Sequence, residues 1–350
     1  MNFIHIADVH LGAEPDAGTA YSKERPQELW DAFSRIIKVC EEEQTDILLI
    51  AGDLFHRQPL RRELKEADYL FSQLTHTRVV LIVGNHDYLK RGSFYQTFLF
   101  HENVRVLLGS ELERTVFEDL DLAVYGSSFH EREIREPIYD NVKAPGRCRY
   151  EILLAHGGDE KHIPISRESL RNSGFDYIAL GHIHKPQVLI ENLAAYAGAL
   201  EPTDRNDTGP HGYVKGEITK KGTRIEFVPF AKREYMHLAL KVNETMTSGE
   251  VKNVIKSTVE KRGIQNLYQF ILRGFRDPEL VFDTAHMDVY GNILSVEDET
   301  QPAYNFEQLW KKNQNNLLGK YIEAFSGCEE GSVEYQALYA GVQALMENRR

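Results

Sequence analysis

The chain has 350 residues, 42% of them hydrophobic and 27% charged, with a formal net charge of −12, which suits a globular protein of two or three domains. No apolar run approaches the roughly 18 residues a membrane helix needs, and Met1–His5 lacks the basic region and apolar core of a signal peptide. Cys40, Cys148 and Cys328 are odd in number and far apart, which speaks against a disulfide framework or a zinc cluster and for a reducing cytoplasm.

Residues 1–10 read as a strand ending in Asp8 and His10, and residues 11–26 as a polar loop. A helix is predicted over Gln27–Glu43, with Leu29, Phe33, Ile36, Ile37 and Cys40 on one face. Ile47–Ala51 is a buried strand followed by Gly52-Asp53. Residues 60–75 form a charged helix whose inward stripe is Leu64, Ala67, Leu70, Phe71 and Leu74. Val79–Val83 leads into Gly84-Asn85-His86-Asp87. This β-α-β-α-β order is the pattern of a layered α/β domain.

Beyond residue 103 short strands crowd together: Val104–Leu107, Leu122–Tyr125, Glu151–Ala155, Tyr177–Leu180, Val188–Ile190, Ala194–Ala197, Tyr213–Ile218 and Arg224–Pro229. They predict a second sheet packed on the first, although the pattern alone does not separate that from one open doubly wound sheet. Near Pro229 the character changes. Tyr235–Val242 and Leu267–Phe275 read as strands. Between them Thr247-Ser248-Gly249-Glu250 matches a capping box, opening a helix with Val251, Val254, Ile255 and Val259 inward. From about Thr300 the chain is helical with two apolar stripes: Phe306, Leu309, Trp310, Leu317, Leu318, Tyr321 and Phe325, then Tyr335, Leu338, Tyr339, Val342, Leu345 and Met346. Either the stripes pack on each other or on the main body, or they form a docking surface for a partner helix or coiled coil.

Five apolar runs each deliver Asp, Asn or His at one end: Asp8-Val9-His10, Gly52-Asp53, Gly84-Asn85-His86-Asp87, His156, and Gly181-His182-Ile183-His184. These residue types bind divalent metals of borderline hardness. One such block is an ordinary turn or cap; five in this order are not. The order D-x-H, G-D, G-N-H-D, H, G-H-x-H resembles the calcineurin-like metallophosphoesterase superfamily. Within it, Gly52-Asp53-Leu54-Phe55-His56 is similar to the SbcD-type DNA repair nucleases of bacteria and their archaeal and eukaryotic relatives. The motifs span residues 8–184, the broader likeness reaches about residue 230, and the match beyond is looser.

The resemblance implies a four-layer α-β-β-α sandwich over residues 1–230 with its ligand loops at one edge. It further implies a small DNA-facing α+β capping domain over 231–299 and a C-terminal helical partner-docking segment over 300–350. It implies two divalent ions, Mn²⁺ in this family, bridged by Asp53, with Asp8, His10 and His184 at one and Asn85, His156 and His182 at the other. His86 is the expected proton donor to the leaving oxygen, Asp87 the group that orients its ring, and His56 a contact to the substrate phosphate. The other histidines, His162 among them, match no motif. The reaction implied is in-line phosphodiester hydrolysis, as a 3′→5′ exonuclease on duplex DNA and an endonuclease on single strands or hairpins. A homodimer and an SMC-like ATPase partner of the SbcC type are implied too. The chain contains no G-x-x-x-x-G-K-S/T loop, so ATP dependence would reside in another subunit.

The charge of −12 is awkward for DNA binding, but bound cations and Arg57, Arg61, Arg62, Lys90, Arg91 and Lys185 beside the motifs make the site locally positive. The acidic balance suggests that a partner supplies much of the affinity. The runner-up is a phosphatase or phosphodiesterase of the same superfamily acting on a smaller substrate. A non-catalytic scaffold is the reading from a different class. Protein phosphatases of this superfamily carry Asp-Arg-Gly and Gly-Asn-His-Glu where this chain has Leu54-Phe55-His56 and Asp87, and every expected ligand position is filled.

Overall fold

The computed structural model describes residues 1–347. The chain divides into two compact units, Met1–Met236 with Gln265–Leu267, and His237–Ile264 with the chain from Tyr268 onward. The first unit opens with β1 (Asn2–Ile6), α1 (Arg25–Glu42), β2 (Ile47–Ala51), α2 (Arg61–Phe71), β3 (Arg78–Ile82) and β4 (Val104–Leu107). It continues through β5 (Glu113–Phe117), β6 (Leu122–Gly126), β7 (Tyr150–His156), α3 (Arg167–Arg171), β8 (Tyr177–Gly181), β9 (Gln187–Ile190), β10 (Ala194–Tyr196), β11 (Gly212–Thr219) and β12 (Gly222–Pro229).

These strands form two six-stranded mixed sheets, β12-β11-β1-β2-β3-β4 and β5-β6-β7-β8-β10-β9. In the first, β1 to β4 are parallel and β11 and β12 are antiparallel. In the second, β6, β7, β8 and β10 are parallel between antiparallel β5 and β9.

Strand periodicity builds the layers. Neighbouring residues of a strand face opposite ways. In β2, Leu48 and Ile50 pack with Leu29, Phe33, Ile36 and Leu64 of the helices, while Ile47 and Leu49 pack with Leu122, Val124, Ile152 and Leu154 of the other sheet. A strand covered on both faces must be apolar throughout, and all five residues of β2 are buried. Each Leu or Ile so buried contributes about 1.5–3 kcal/mol. The outer face of the second sheet (Ala123, Leu153, Ile178, Leu180) is covered by Tyr139, Leu170 and Phe175. The core is therefore an α/β sandwich flanked by helices, and the open doubly wound alternative is set aside. Strand β5 was not anticipated, because Glu113-Arg114-Thr115-Val116-Phe117 is a charged edge strand without the apolar run that marks a buried one.

The chain continues through β13 (Tyr235–Val242), α4 (Ser248–Arg262), β14 (Leu267–Arg276), β15 (Ile293–Asp298), β16 (Gln301–Pro302), α5 (Phe306–Asn313), α6 (Leu317–Ala324) and α7 (Val333–Glu347). The second unit's sheet has the order β13-β14-β15, with β16 also on β14. The capping box of α4 is present, Thr247 Oγ1 accepting from Glu250 N and Glu250 Oε2 from Thr247 N. Val251, Ile255 and Val259 are buried, but Val254 is 39% exposed. At about 100° per residue it falls off the stripe the other three share. The C-terminal stripes close on each other: Leu318, Ile322, Leu338 and Val342 are buried among Phe306, Leu309, Trp310, Tyr321 and Phe325. Leu317 is the exception, 69% exposed at the start of α6. Among the described residues no helix is long and apolar enough to cross a membrane, and all three cysteines are free thiols.

Candidate metal centre

The five blocks lie at the C-terminal ends of β1, β2, β3, β7 and β8, the end at which parallel α/β sheets place their ligand crevices. Hydrogen bonds to main-chain carbonyls bring these ends together. Asp8 N donates to Gly52 O at 3.2 Å, Gly157 N to Gly181 O at 3.1 Å, and His156 Nδ1 to Ala51 O at 2.9 Å. The approach is close enough to require glycine. A Cβ on Gly181 would lie 2.0 Å from the Ala51 carbonyl oxygen, and one on Gly84 2.2 Å from the Asp53 carboxylate. Gly181→Ala is therefore expected to prise β8 from β2, destabilise the protein by about 1–3 kcal/mol as overpacking does, and lower metal content. Calorimetry with elemental analysis would check this; unchanged melting and metal content would show the approach to be dispensable. Asp8, His10, Asp53 and His182 stand at φ of 50°, 52°, 50° and 96°, strain of order 1–3 kcal/mol each that collects at functional sites.

Side chains from both sheets converge. The ligand atoms of Asp8, His10 and His184 lie within 4.8 Å of one another, as do those of Asp8, Asp53 and His156. His10 Nε2 is 3.0 Å from His184 Nε2. Asn85 Oδ1 is 2.9 Å from His156 Nε2 and 3.0 Å from His182 Nδ1, and Asp53 Oδ2 is 3.5 Å from His156 Nε2. His156 commits its Nδ1–H to Ala51 O. The outer nitrogens of His184 and His182 face the carboxylates of Asp207, at 3.0 Å, and Asp159, at 2.8 Å. The inward nitrogens of neutral His156 and His182 rings are then lone pairs facing the Asn85 amide oxygen, a cluster short of donors that positive charge would relieve.

The electrostatics agree. Burial opposes charge on His156, yet Asp53 and Asp8 lift its pKa to about 9. Burial opposes charge on His184 too, and the bond to Asp207, with Asp8, lifts it to about 9. His10 is held well below the usual imidazole range, chiefly by burial, and its Nδ1 is buried without a partner. Burial favours a neutral Asp53, but His156 and His10 hold its carboxyl far below the carboxylate range. Imidazole nitrogens, an amide oxygen and two carboxylates are a donor set that fits two divalent ions.

His10, His56 and His86 form a further group within 4.8 Å. The His10 ring lies 4.8 Å from that of His86, and the His56 and His86 rings are 5.0 Å apart. His86 N donates to Asp53 Oδ1 at 2.8 Å and its Nδ1 to the His56 carbonyl at 3.2 Å.

Asp87 does not orient the His86 ring, and that expectation is corrected. Its buried carboxylate accepts from Gly84 N (2.9 Å), Phe55 N (3.2 Å) and Tyr95 Oη (3.0 Å). Burial, with Asp53 nearby, raises its pKa to about 7. It turns beneath the loop because two backbone N–H groups there need an acceptor, and it ties the His86 loop to the Phe55–His56 loop.

Three residues at the site were not anticipated. Asp159 and Asp207 contact His182 and His184, and His162, left as an ordinary histidine, shares Asp159 at 2.9 Å with its ring 4.5 Å from that of His182. The only signal for Asp159 and His162 was their closeness to His156; Asp207 sits in Asp204-Arg205-Asn206-Asp207, which reads as any polar turn. Of the basic residues beside the motifs, Arg57 is paired with both carboxylate oxygens of Glu63 at 2.8 and 2.9 Å. Arg61, Arg62, Lys90, Arg91 and Lys185 are exposed.

A family model described as Calcineurin-like phosphoesterase matches residues 1–186, just over half of the chain. An uncharacterized metallophosphoesterase, YhaO of Bacillus subtilis, is 28% identical over 298 residues, covering 78% of this chain and 72% of that protein. Two archaeal proteins named DNA double-strand break repair protein Mre11 are also similar. That of Methanocaldococcus jannaschii is 30% identical over 220 residues (59% of this chain, 58% of that protein), and that of Haloferax volcanii 29% over 245 (65% and 53%). The match spans little more than half the length of these two.

Proposed function

From the premise that this chain belongs to the calcineurin-like phosphoesterase family, we propose that it is a two-metal DNA nuclease of the SbcD and Mre11 type. The observation that carries the reading is the trio His10, His56 and His86 beside the converging ligand atoms, together with the similarity to the archaeal Mre11 proteins. Asp8, His10, Asp53 and His184 would hold one ion and Asp53, Asn85, His156 and His182 the other, Asp53 bridging. Such ions, when bound, neutralise charge developing on the phosphoryl oxygens.

The chain's own residues do the rest. His86 gives its Nδ1–H to the His56 carbonyl, which leaves Nε2 as the nitrogen that exchanges a proton with the leaving oxygen. His56 contacts the scissile phosphate. Asp87 positions the loops that carry both histidines.

The wider reading follows the same likeness. The substrate is DNA, attacked 3′→5′ on duplexes and endonucleolytically on single strands, with Mn²⁺ as the metal. Residues 1–230 form the nuclease domain, 231–299 a DNA-facing cap, and 300–350 the dock for an SMC-like ATPase. The reducing cytoplasm accords with the free thiols. A homodimer accords with exposed Tyr69 and Leu99, on neighbouring elements joined by the His101 N to Asp68 bond.

The test is degradation of end-labelled linear duplex DNA with Mn²⁺, beside His86→Ala and a p-nitrophenyl phosphodiester. The wild type is expected to degrade DNA. The variant should be about 10²–10⁴-fold slower, as loss of a general acid predicts, with metal content retained. Cleavage of the small diester but not of DNA, with or without an ATPase partner, would replace this reading with a phosphodiesterase acting on a smaller substrate.

A further inference from the structure

We propose that Asp207 and Asp159 are positioning residues that lock His184 and His182 in opposite tautomers, so that two histidines two residues apart present unlike nitrogens, Nε2 and Nδ1, to adjacent ions. This rests on the two-ion reading above.

The argument starts from what a carboxylate can do. It only accepts, so a ring nitrogen bonded to it carries the proton. Asp207 Oδ2 lies 3.0 Å from His184 Nδ1, which leaves Nε2 as the nitrogen turned to the site, 3.0 Å from His10 Nε2. Asp159 Oδ2 lies 2.8 Å from His182 Nε2, which leaves Nδ1 bare, 3.0 Å from Asn85 Oδ1. Both carboxylates are held by main chain, Asp207 by Thr203 N and Asp204 N, each at 3.1 Å, and Asp159 by Lys161 N at 2.7 Å and His162 N at 2.9 Å. They therefore fix the rings rather than follow them.

The need for two tautomers comes from the spacing. His182 and His184 are two residues apart on one short loop, His182 at a φ of 96°, and equal tautomers would offer equivalent nitrogens there. Opposite ones let one short segment serve two ions. Outer carboxylates of this kind fix the tautomer and raise the basicity of a ligating histidine. Asp207 is the more enclosed, with its side chain 13% exposed against 47% for Asp159, so its effect should be the larger.

The experiment titrates the metal-free full chain with Mn²⁺ by calorimetry, counts bound metal, and records the paramagnetic resonance of the loaded protein, for wild type, Asp207→Asn and Asp159→Asn. Asparagine keeps the shape but can donate, which permits the wrong tautomer. Wild type should bind two ions with a spin-coupled signal. Asp207→Asn should weaken one binding step about 100-fold and Asp159→Asn the other about 10-fold, the span known for outer-shell changes. An isolated-ion signal should replace the coupled one, and the melting temperature of the metal-free protein should not move. Both steps unchanged would overturn the proposal. So would both steps falling together with the metal-free melting temperature, or a third ion in wild type that Asp159→Asn loses, which would make Asp159, His162 and His182 a site of their own. Wild type holding fewer than two ions would overturn the two-ion reading itself.

Discussion

Replacing Asp53 with alanine is expected to cost roughly 10³-fold or more in phosphodiester hydrolysis and to remove most bound metal. Asp53 lies in the Asp8 and His156 group, and it also anchors His86 through the 2.8 Å bond from His86 N to Oδ1. On the proposed two-metal reading, one substitution thus removes the bridging ligand and frees the loop that carries the proposed proton donor. The metal contribution alone is several kcal/mol, and about 1.36 kcal/mol is a tenfold change in rate. Rates on DNA and on a small diester, with elemental analysis, would check this. Asp53→Ala should fail on both substrates, whereas His86→Ala should retain its ions. An Asp53→Ala protein within tenfold of wild type would rule out the bridging role.

The second large effect lies away from the chemistry. Glu28 on α1 is buried and accepts from Arg25 Nη1 at 2.8 Å, from Arg233 Nε and Nη2 at 2.7–2.9 Å, and from Lys232 Nζ at 2.9 Å. Arg233 also donates to the Gln265 carbonyl at 2.8 Å, so the cluster fastens the segment after β12 to α1 within the first unit. Glu28→Gln removes the carboxylate that two buried guanidinium groups share, leaving Asp16 at 3.5 Å from Arg25 and the exposed Glu24 at 3.2 Å from Arg233 as their remaining carboxylate contacts. Breaking a buried pair in this way costs about 3–5 kcal/mol, which for a unit of this size lowers the melting temperature by roughly 10 °C.

The pH dependence has a definite sign. Burial alone would raise the Glu28 pKa, but the bonds from Arg233, Lys232 and Arg25 hold it down to about 2. A carboxyl depressed on folding stabilises fully above its unfolded value, near 4.5, and that stabilisation fades as pH falls toward 2. Thermal melts between pH 7 and 3 should show wild type losing its advantage over Glu28→Gln in that acid range. A constant difference across the range would mean that the charge is not what holds the cluster.

The sequence by itself determined the strands of both sheets of the sandwich, apart from β5, and the positions at which the candidate metal-ligating residues leave them. The reason is physical: a strand buried on both faces must be continuously apolar, so Asp, Asn or His at its end stands out as chemistry rather than surface. It also located the helix faces of α1 and the capping box of α4, which local periodicity and local hydrogen bonding specify.

Only the tertiary structure decided what depends on partners distant in sequence. Asp87 belongs to Phe55, Tyr95 and the Gly84 backbone and not to the ring beside it. Asp207 serves His184 across 23 residues, and Asp159 serves His182 across the same separation. Glu28 meets Arg233 from more than 200 residues away. A carboxylate in a polar turn looks the same in sequence whether it faces water or a histidine; the difference lies in how the sheets bring the turns together. The C-terminal stripes were open for the same reason. Apolar periodicity says that a helix face will be covered, and the closing of α5, α6 and α7 over Leu318, Ile322, Leu338 and Val342 decides how much of that cover the chain provides for itself.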